Sequence, residues 1–163
     1  MVDLNLGNAH KALGQLDEAL KCYDAALSLN QNYSEAWSNR GDVLCQLGRV
    51  SEAIDNYHQA IRLNPANHEA LHNLGLTYIE AKRFEEGLAL VNQALALNPN
   101  FAVAYNTLGI GLIRTKRIDA GIAAYQRTIS LAPHLADPYF NLAETFAEQR
   151  LFHEAIKLYE LAV

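Results

Sequence analysis

The chain has 163 residues, half of them hydrophobic, with 13 basic and 18 acidic side chains and a formal net charge of −5. That balance argues against nucleic acid, whose phosphates call for concentrated positive charge. Its two cysteines suggest no disulfide framework, no apolar run approaches the ~20 residues of a membrane span, and no basic-then-apolar leader is visible, so a cytoplasmic protein is expected.

Glycine recurs at Gly7, Gly41, Gly75 and Gly109, and proline at Pro65, Pro99 and Pro133, each 34 residues from the next. A fixed period of this size signals a solenoid of helical hairpins. The expected repeats are residues 1–33, 34–67, 68–101, 102–135 and 136–163, forming one array whose first and last members are incomplete. In repeat one, Met1 enters within the first helix, and Gly7, Ala19, Tyr23 and Ala26 hold the recurring columns. Repeat two is the fullest copy. Trp37, Gly41 and Leu44 share one helical face, flanked by Ala36, Val43 and Leu47. Leu47-Gly48-Arg49 breaks the run, and Ser51 with Glu52 is expected to open a second helix, the hydroxyl as a cap and the acid at the positive end. Ile54, Tyr57, Ala60 and Ile61 form its stripe, and Asn64-Pro65 ends it, because a residue before proline is pushed out of the helical region.

Repeat three starts at His68 and carries Leu71, Leu74, Gly75, Tyr78, Gly87, Ala94 and Pro99. Repeat four starts at Ala102, with Tyr105, Leu108, Gly109, Leu112, Gly121, Tyr125 and Pro133. Repeat five starts at Ala136, with Tyr139, Leu142, Ala143, Phe146, Ala155 and Tyr159. A hydrophobe opens each second helix: Leu16, Val50, Phe84, Ile118 and Phe152. The expected buried set is Trp37, Tyr57, Leu74, Tyr105, Leu108 and Tyr139. Gly121 and Gly87 replace a recurring alanine, which reads as close helix approach or, functionally, as local softness near a groove. The last helix keeps Ile156, Tyr159 and Ala162 on a stripe with nothing following. This reads as a piece cut from a longer array, with end-to-end self-association or a short chain with a soft last helix as the alternatives.

Trp37, Gly41, Ala53, Tyr57, Ala60 and Pro65 match the tetratricopeptide pattern W-x2-L-G-x2-Y…A-x3-F…P, with mild departures at Arg40 and Leu44. The chain therefore resembles the tetratricopeptide repeat family over essentially its whole length. The resemblance implies an all-α, right-handed superhelical solenoid of about five antiparallel helix pairs. It also implies a protein-interaction scaffold, not an enzyme, that binds a protein or extended peptide segment in a concave groove lined by the first helix of each pair. The alternative is the substrate-recruiting portion of a larger enzyme such as a glycosyltransferase.

On that resemblance, the columns opposite the packed stripe face the groove. One column holds Asn5, Asn39, Asn73, Thr107 and Asn141, and resembles the asparagine ladder of O-linked N-acetylglucosamine transferase. An amide both donates and accepts, which suits an extended backbone; the plainer reading is local bonding or water. Neighbouring columns place Leu76, Ile79, Val103, Ile110 and Ile113 as a partly exposed apolar patch. Glu35, Asp42 and Glu69 with Glu80 make one end acidic, and Asp137, Glu144 and Glu148 the other, with Lys11 and Arg114 the main cations. The columns that would form a cationic clamp for acidic chaperone tails read Leu4, Ser38, His72, Asn106 and Phe140, and only Asn8 fits such a clamp. The expected partner-binding set is thus Asn5, Asn8, Asn39, Asp42, His72, Asn73, Leu76, Ile79, Val103, Asn106, Ile110, Ile113, Asn141 and Glu144.

One stretch invites a chemical reading. His68-Glu69-Ala70-Leu71-His72 is a literal HExxH, which on a helix could hold zinc with a glutamate base. Ser34-Glu35-Ala36-Trp37-Ser38 occupies the same frame one repeat earlier, so Glu-Ala belongs to the repeat and no third ligand follows in register. No metal, cofactor or catalytic group is expected. Cys45 lies opposite the packed stripe and is expected to be exposed and reactive; Cys22 reads as a small buried residue. Asn32-Tyr33-Ser34 is a glycosylation sequon, inert in a cytoplasm.

Overall fold

Residues 2–162 are described by the structure, a computed structural model. They form ten helices and no strand: α1 Val2–Ala12, α2 Leu16–Leu29, α3 Ser34–Gln46, α4 Val50–Leu63, α5 His68–Glu80, α6 Phe84–Leu97, α7 Ala102–Arg114, α8 Ile118–Leu131, α9 Asp137–Glu148 and α10 Phe152–Leu161. No helix among the described residues is long and apolar enough to cross a membrane. By packing, the chain divides into two compact units, Met1–Thr77 and Tyr78–Val163, with the boundary inside α5.

Two kinds of turn punctuate the helices, each with its own chemistry. Within a hairpin, the turn contains a residue with positive φ: Gly14, Gly48, Lys82, Lys116 and Arg150, all between 62° and 75°. The next backbone N–H then reaches back five residues, as from Arg49 to Leu44 O at 2.8 Å and from Arg117 to Leu112 O at 2.9 Å. This left-handed closure satisfies carbonyls that a helix end leaves open. Between hairpins, Asn30, Asn64 and Asn98 are extended, and each Oδ1 accepts the backbone N–H two residues on at 3.0–3.2 Å. Proline follows Asn64 and Asn98 but not Asn30. The asparagine side chain is therefore the shared device, and proline reinforces it.

The second helices open at Leu16, Val50, Phe84, Ile118 and Phe152. The expected Ser51 cap is not formed. Arg49 is the N-cap residue of α4 and makes no side-chain cap bond. Instead its guanidinium pairs with both carboxylate oxygens of Glu52 at 2.7 and 2.6 Å, and Arg83 does the same with Glu86. These pairs are exposed and contribute little to stability, but they fix the first turn.

Inside a hairpin the decisive contact is glycine against tyrosine. A Cβ built on Gly7 would lie 2.6 Å from Tyr23 Cε1, and one on Gly41 would lie 2.8 Å from Tyr57 Cε1. Tyr125 crowds Gly109 closer still. Tyr23, Tyr57 and Tyr125 are each at most 3% exposed. Repeat five has Ala143 in the glycine column, and there Tyr159 packs edge-on against Phe140, ring centroids 5.5 Å apart. Gly121 is also a close approach: a Cβ there would meet Ile113 Cδ1 at 2.6 Å.

Tyr57 and Leu74 are buried as expected, whereas Trp37, Tyr105, Leu108 and Tyr139 are half-buried. Polar tips explain two of these. Trp37 Nε1 donates to Gln31 O at 2.8 Å, and Tyr139 Oη donates to Pro133 O at 3.1 Å, the same loop position in each repeat. Their rings brace the loop from its rim. In the second unit, Leu88 lies beneath Gly111 of the following helix and is 3% exposed. Ile156 holds the corresponding place on α10 and is 56% exposed, with Phe152 at 58%.

Two outcomes follow from this packing. Gly41→Ala should destabilise the chain by ~1–3 kcal/mol through overpacking on Tyr57, despite the ~1 kcal/mol that alanine gains in helix propensity. Chemical denaturation checks this, and a neutral or stabilising result refutes the glycine–tyrosine constraint. Amide exchange should be faster along α10 than along α8, because the α10 stripe lacks the cover that Leu88 receives. Equal protection in a monomer would show that the stripe does not matter.

Candidate partner-binding face

Each unit presents its own arrangement of polar groups on its first-of-pair helices. In the first unit, Asn39 Nδ2 on α3 donates to Asn8 Oδ1 on α1 at 3.0 Å, and Tyr23 Oη donates to the same oxygen at 2.7 Å. Lys11 Nζ donates to Asp42 Oδ2 at 2.8 Å, with both side chains about one-third exposed. Two adjacent helices are thus stitched by an amide pair and an ion pair. Burial, helped by the Asp42 charge, pushes the Tyr23 phenol up to about 12, so it stays a donor at neutral pH.

In the second unit, Asn141 Nδ2 on α9 donates to Asn106 Oδ1 on α7 at 3.1 Å. Beside this pair lies a cavity of about 360 Å³, lined by Ile110, Ile113, Arg114, Lys116, Tyr125, Asn141, Glu144, Thr145 and Glu148. One wall is apolar, from two isoleucines of α7, and Tyr125 of α8 closes the base. The rim carries Arg114 at the end of α7, Lys116 in the turn after it, and two carboxylates from α9. Thr145 Oγ1 donates to Asn141 O at 2.8 Å, fixing that turn of α9. A more open, apolar hollow of about 600 Å³ lies between α8, α9 and α10, lined by residues including Ile129, Phe146, Leu158 and Leu161.

The structure brings some of the expected residues together. Asn8, Asn39 and Asp42 meet in the first unit; Asn106, Ile110, Ile113, Asn141 and Glu144 meet in the second. Asn5 is exposed on α1, Val103 is 43% exposed on α7, and Asn73 and Leu76 are half-buried. Two expectations are corrected. Ile79 is not partly exposed but 4% exposed, within a core cluster with Val91, Leu95 and Ala104. The absence of a side chain at Gly111 admits Ile79 Cδ1 to 3.0 Å of where a Cβ would stand. His72 is 7% exposed, and the column to which it belongs is interior throughout the first unit, with Leu4 at 4% and Ser38 at 2%. Ile110 packs partly on the core, and Ile113 lies under Gly121, so each both lines the cavity and supports the fold.

Cys45 is likewise not freely exposed. Its sulfur lies 3.6 Å from Thr77 Oγ1 and accepts from Tyr57 Oη at 3.8 Å. His72 Nδ1 lies 3.0 Å from Asn73 Oδ1, and burial holds its imidazole below the ordinary value. Among the described residues, no three histidine, cysteine or acidic side chains gather as a metal site. The residues that sequence reasoning passed over are Tyr125, Lys116 and Thr145. Tyr125 reads only as a recurring column of repeat four; comparing the partners of the tyrosine column from repeat to repeat singles it out.

Tetratricopeptide repeat models match residues 7–48, 41–82, 68–101 and 106–163. The chain belongs to the tetratricopeptide repeat family. No curated protein matches it significantly. Among solved structures, MamA is 26% identical over 96% of this chain and 91% of its own, with a TM-score of 0.77. PilF of Pseudomonas aeruginosa gives a TM-score of 0.89 at 20% identity, covering 99% of this chain and 73% of its own. YrrB, described as a tetratricopeptide protein with an unusual peptide-binding site, gives 0.71 at 24% identity, covering 98% and 82%. The last two likenesses concern the fold alone.

The buried histidine of α5 makes a pH-dependent prediction. The unfolded chain binds the His72 proton more readily than the folded chain, so stability is full above pH 6.5 and falls as the pH drops through the lowered folded value. The thermal midpoint should therefore decline as the pH is lowered below 6.5, and His72→Gln should flatten that decline. An unchanged slope in the variant would remove His72 as its source.

Proposed function

We propose that the chain is a non-catalytic interaction scaffold that binds an extended protein segment along the first-of-pair helices, with the α7–α9 cavity as its main anchorage. The observation that carries this is the cavity itself. It joins an apolar wall, a tyrosine at its base and charges of both signs at its rim, whereas the larger hollow between α8, α9 and α10 is mainly apolar. The family supports the scaffold reading, and the peptide-binding description of YrrB is in keeping with it. The Asn8–Asn39 and Asn106–Asn141 pairs leave amide groups with unused capacity, suited to a passing backbone. In the first unit Asp42 is already neutralised by Lys11, so that end offers less to a charged partner than its acidic count implies.

Energetics rank the contributions. Apolar contact contributes roughly 25 cal/mol per Å² removed from water, before association costs. Exposed rim charges contribute less and are screened by salt. A random-peptide display library selected on the intact chain supplies the probe. Ile110→Ala should weaken the selected peptides by ~1–2 kcal/mol while leaving the helical signal intact. Glu144→Gln should cost under ~1 kcal/mol and lose its effect at high salt. Lys157→Ala, on α10, should change nothing. Peptides that respond to Lys157→Ala but not to Ile110→Ala would place binding elsewhere.

A further inference from the structure

Four tyrosines, Tyr23, Tyr57, Tyr125 and Tyr159, occupy the same repeat column, and the hydroxyls of the three that pack on a glycine have different fates. In repeat one, Tyr23 Oη donates to Asn8 Oδ1 at 2.7 Å. In repeat two, Tyr57 Oη donates to Cys45 Sγ at 3.8 Å. In repeat four, the place of Asn8, three periods of 34 on, is Ile110, and the place of Cys45, two periods on, is Ile113. Both partner positions have become isoleucine. Tyr125 is 3% exposed, yet its hydroxyl makes no hydrogen bond among the described residues. Nor is it sealed in, since no fully buried side-chain polar atom among those residues lacks a partner. It opens on the α7–α9 cavity, whose wall is those same two isoleucines.

We propose that this cavity is a specificity pocket for one side-chain amide, a glutamine of the bound segment, with the Tyr125 hydroxyl as its hydrogen-bonding base. This rests on the scaffold reading above and deepens it. A group that cannot hydrogen-bond would strip water from the hydroxyl and leave it unpaired, which selects against purely apolar side chains. A charged side chain gains nothing net, because Arg114 and Lys116 offset Glu144 and Glu148 around the cavity, and it would still give up its own hydration. None of these four is engaged in an ion pair among the described residues. A neutral amide gives up less hydration and can hydrogen-bond to groups of either sign. Its carbonyl accepts from Tyr125 O–H, its N–H groups face the carboxylate side of α9, and the two methylenes of a glutamine lie against Ile110 and Ile113.

The peptide pool selected on the intact chain provides the test. Glutamine should be enriched at one position of the selected peptides. Tyr125→Phe removes one oxygen and keeps the ring on Gly109, so Tm should not change, while affinity for glutamine-bearing peptides should fall about tenfold. Ile110→Asn restores the residue type that holds the tyrosine in repeat one. It should engage the hydroxyl internally and weaken the same peptides, with no further loss when combined with Tyr125→Phe. Enrichment of a charged or purely apolar residue at that position overturns the proposal. So does an unchanged affinity in Tyr125→Phe, and if Ile110→Ala still weakens binding, the scaffold reading then stands without the amide pocket. If no peptide is selected, or selected peptides ignore every cavity variant, both readings fall together.

Discussion

The contact on which the rest depends is the approach of a tyrosine ring to a glycine backbone within a hairpin. At Gly7, Gly41 and Gly109 the ring occupies the space where a side chain would begin. This sets the distance between the two helices of the pair and carries the largest buried side chain of each hairpin into its interior. It also fixes where the phenolic oxygen emerges, beside side chains of the first helix such as Asn8 on α1 and Cys45 on α3. The column is thus both a packing element and a carrier of polar groups, and the hydroxyl must be met there by a side chain, by water or by a ligand.

Repeats with the same backbone plan have answered that requirement differently. Repeat one supplies Asn8, which also accepts from Asn39 and so ties α1 to α3. Repeat two supplies the softer sulfur of Cys45, itself in contact with Thr77. Repeat four supplies isoleucines and leaves a cavity. The change from polar to apolar at two positions alters no helix, because both residue types are tolerated on a half-buried helical face. It changes what the face can hold. Function in such a repeat fold lies in these column-by-column departures, since the periodic residues are occupied with packing.

Small residues play a second part in the other unit-level contacts. Gly111 admits Leu88 and Ile79, and Gly121 admits Ile113. Residues whose helical phase points outward are drawn in wherever the neighbour lacks a side chain. The same logic explains α10, where Ile156 has the chemistry of a packed residue and no covering helix among the described residues.

The period of 34 residues, the glycine and tyrosine columns and the turn residues were enough to place every helix, because these are local or strictly repeating signals. Helical phase, read directly from spacing, also put Ile110, Ile113, Asn141 and Glu144 on columns opposite the packed stripe, and these four line one cavity. It did not determine which outward columns are covered. His72 and Ile79 share the phase of surface residues, yet lie inside, because burial depends on the neighbour's side chain and on interhelix distance. The Arg49–Glu52 pair in place of a serine cap and the engaged sulfur of Cys45 were decided in the same way, by which groups three-dimensional packing brought within reach. Tyr125 shows the division most plainly: the sequence fixes its ring in the core, and only the tertiary structure, by setting isoleucines where its counterparts have partners, leaves its hydroxyl to face a cavity.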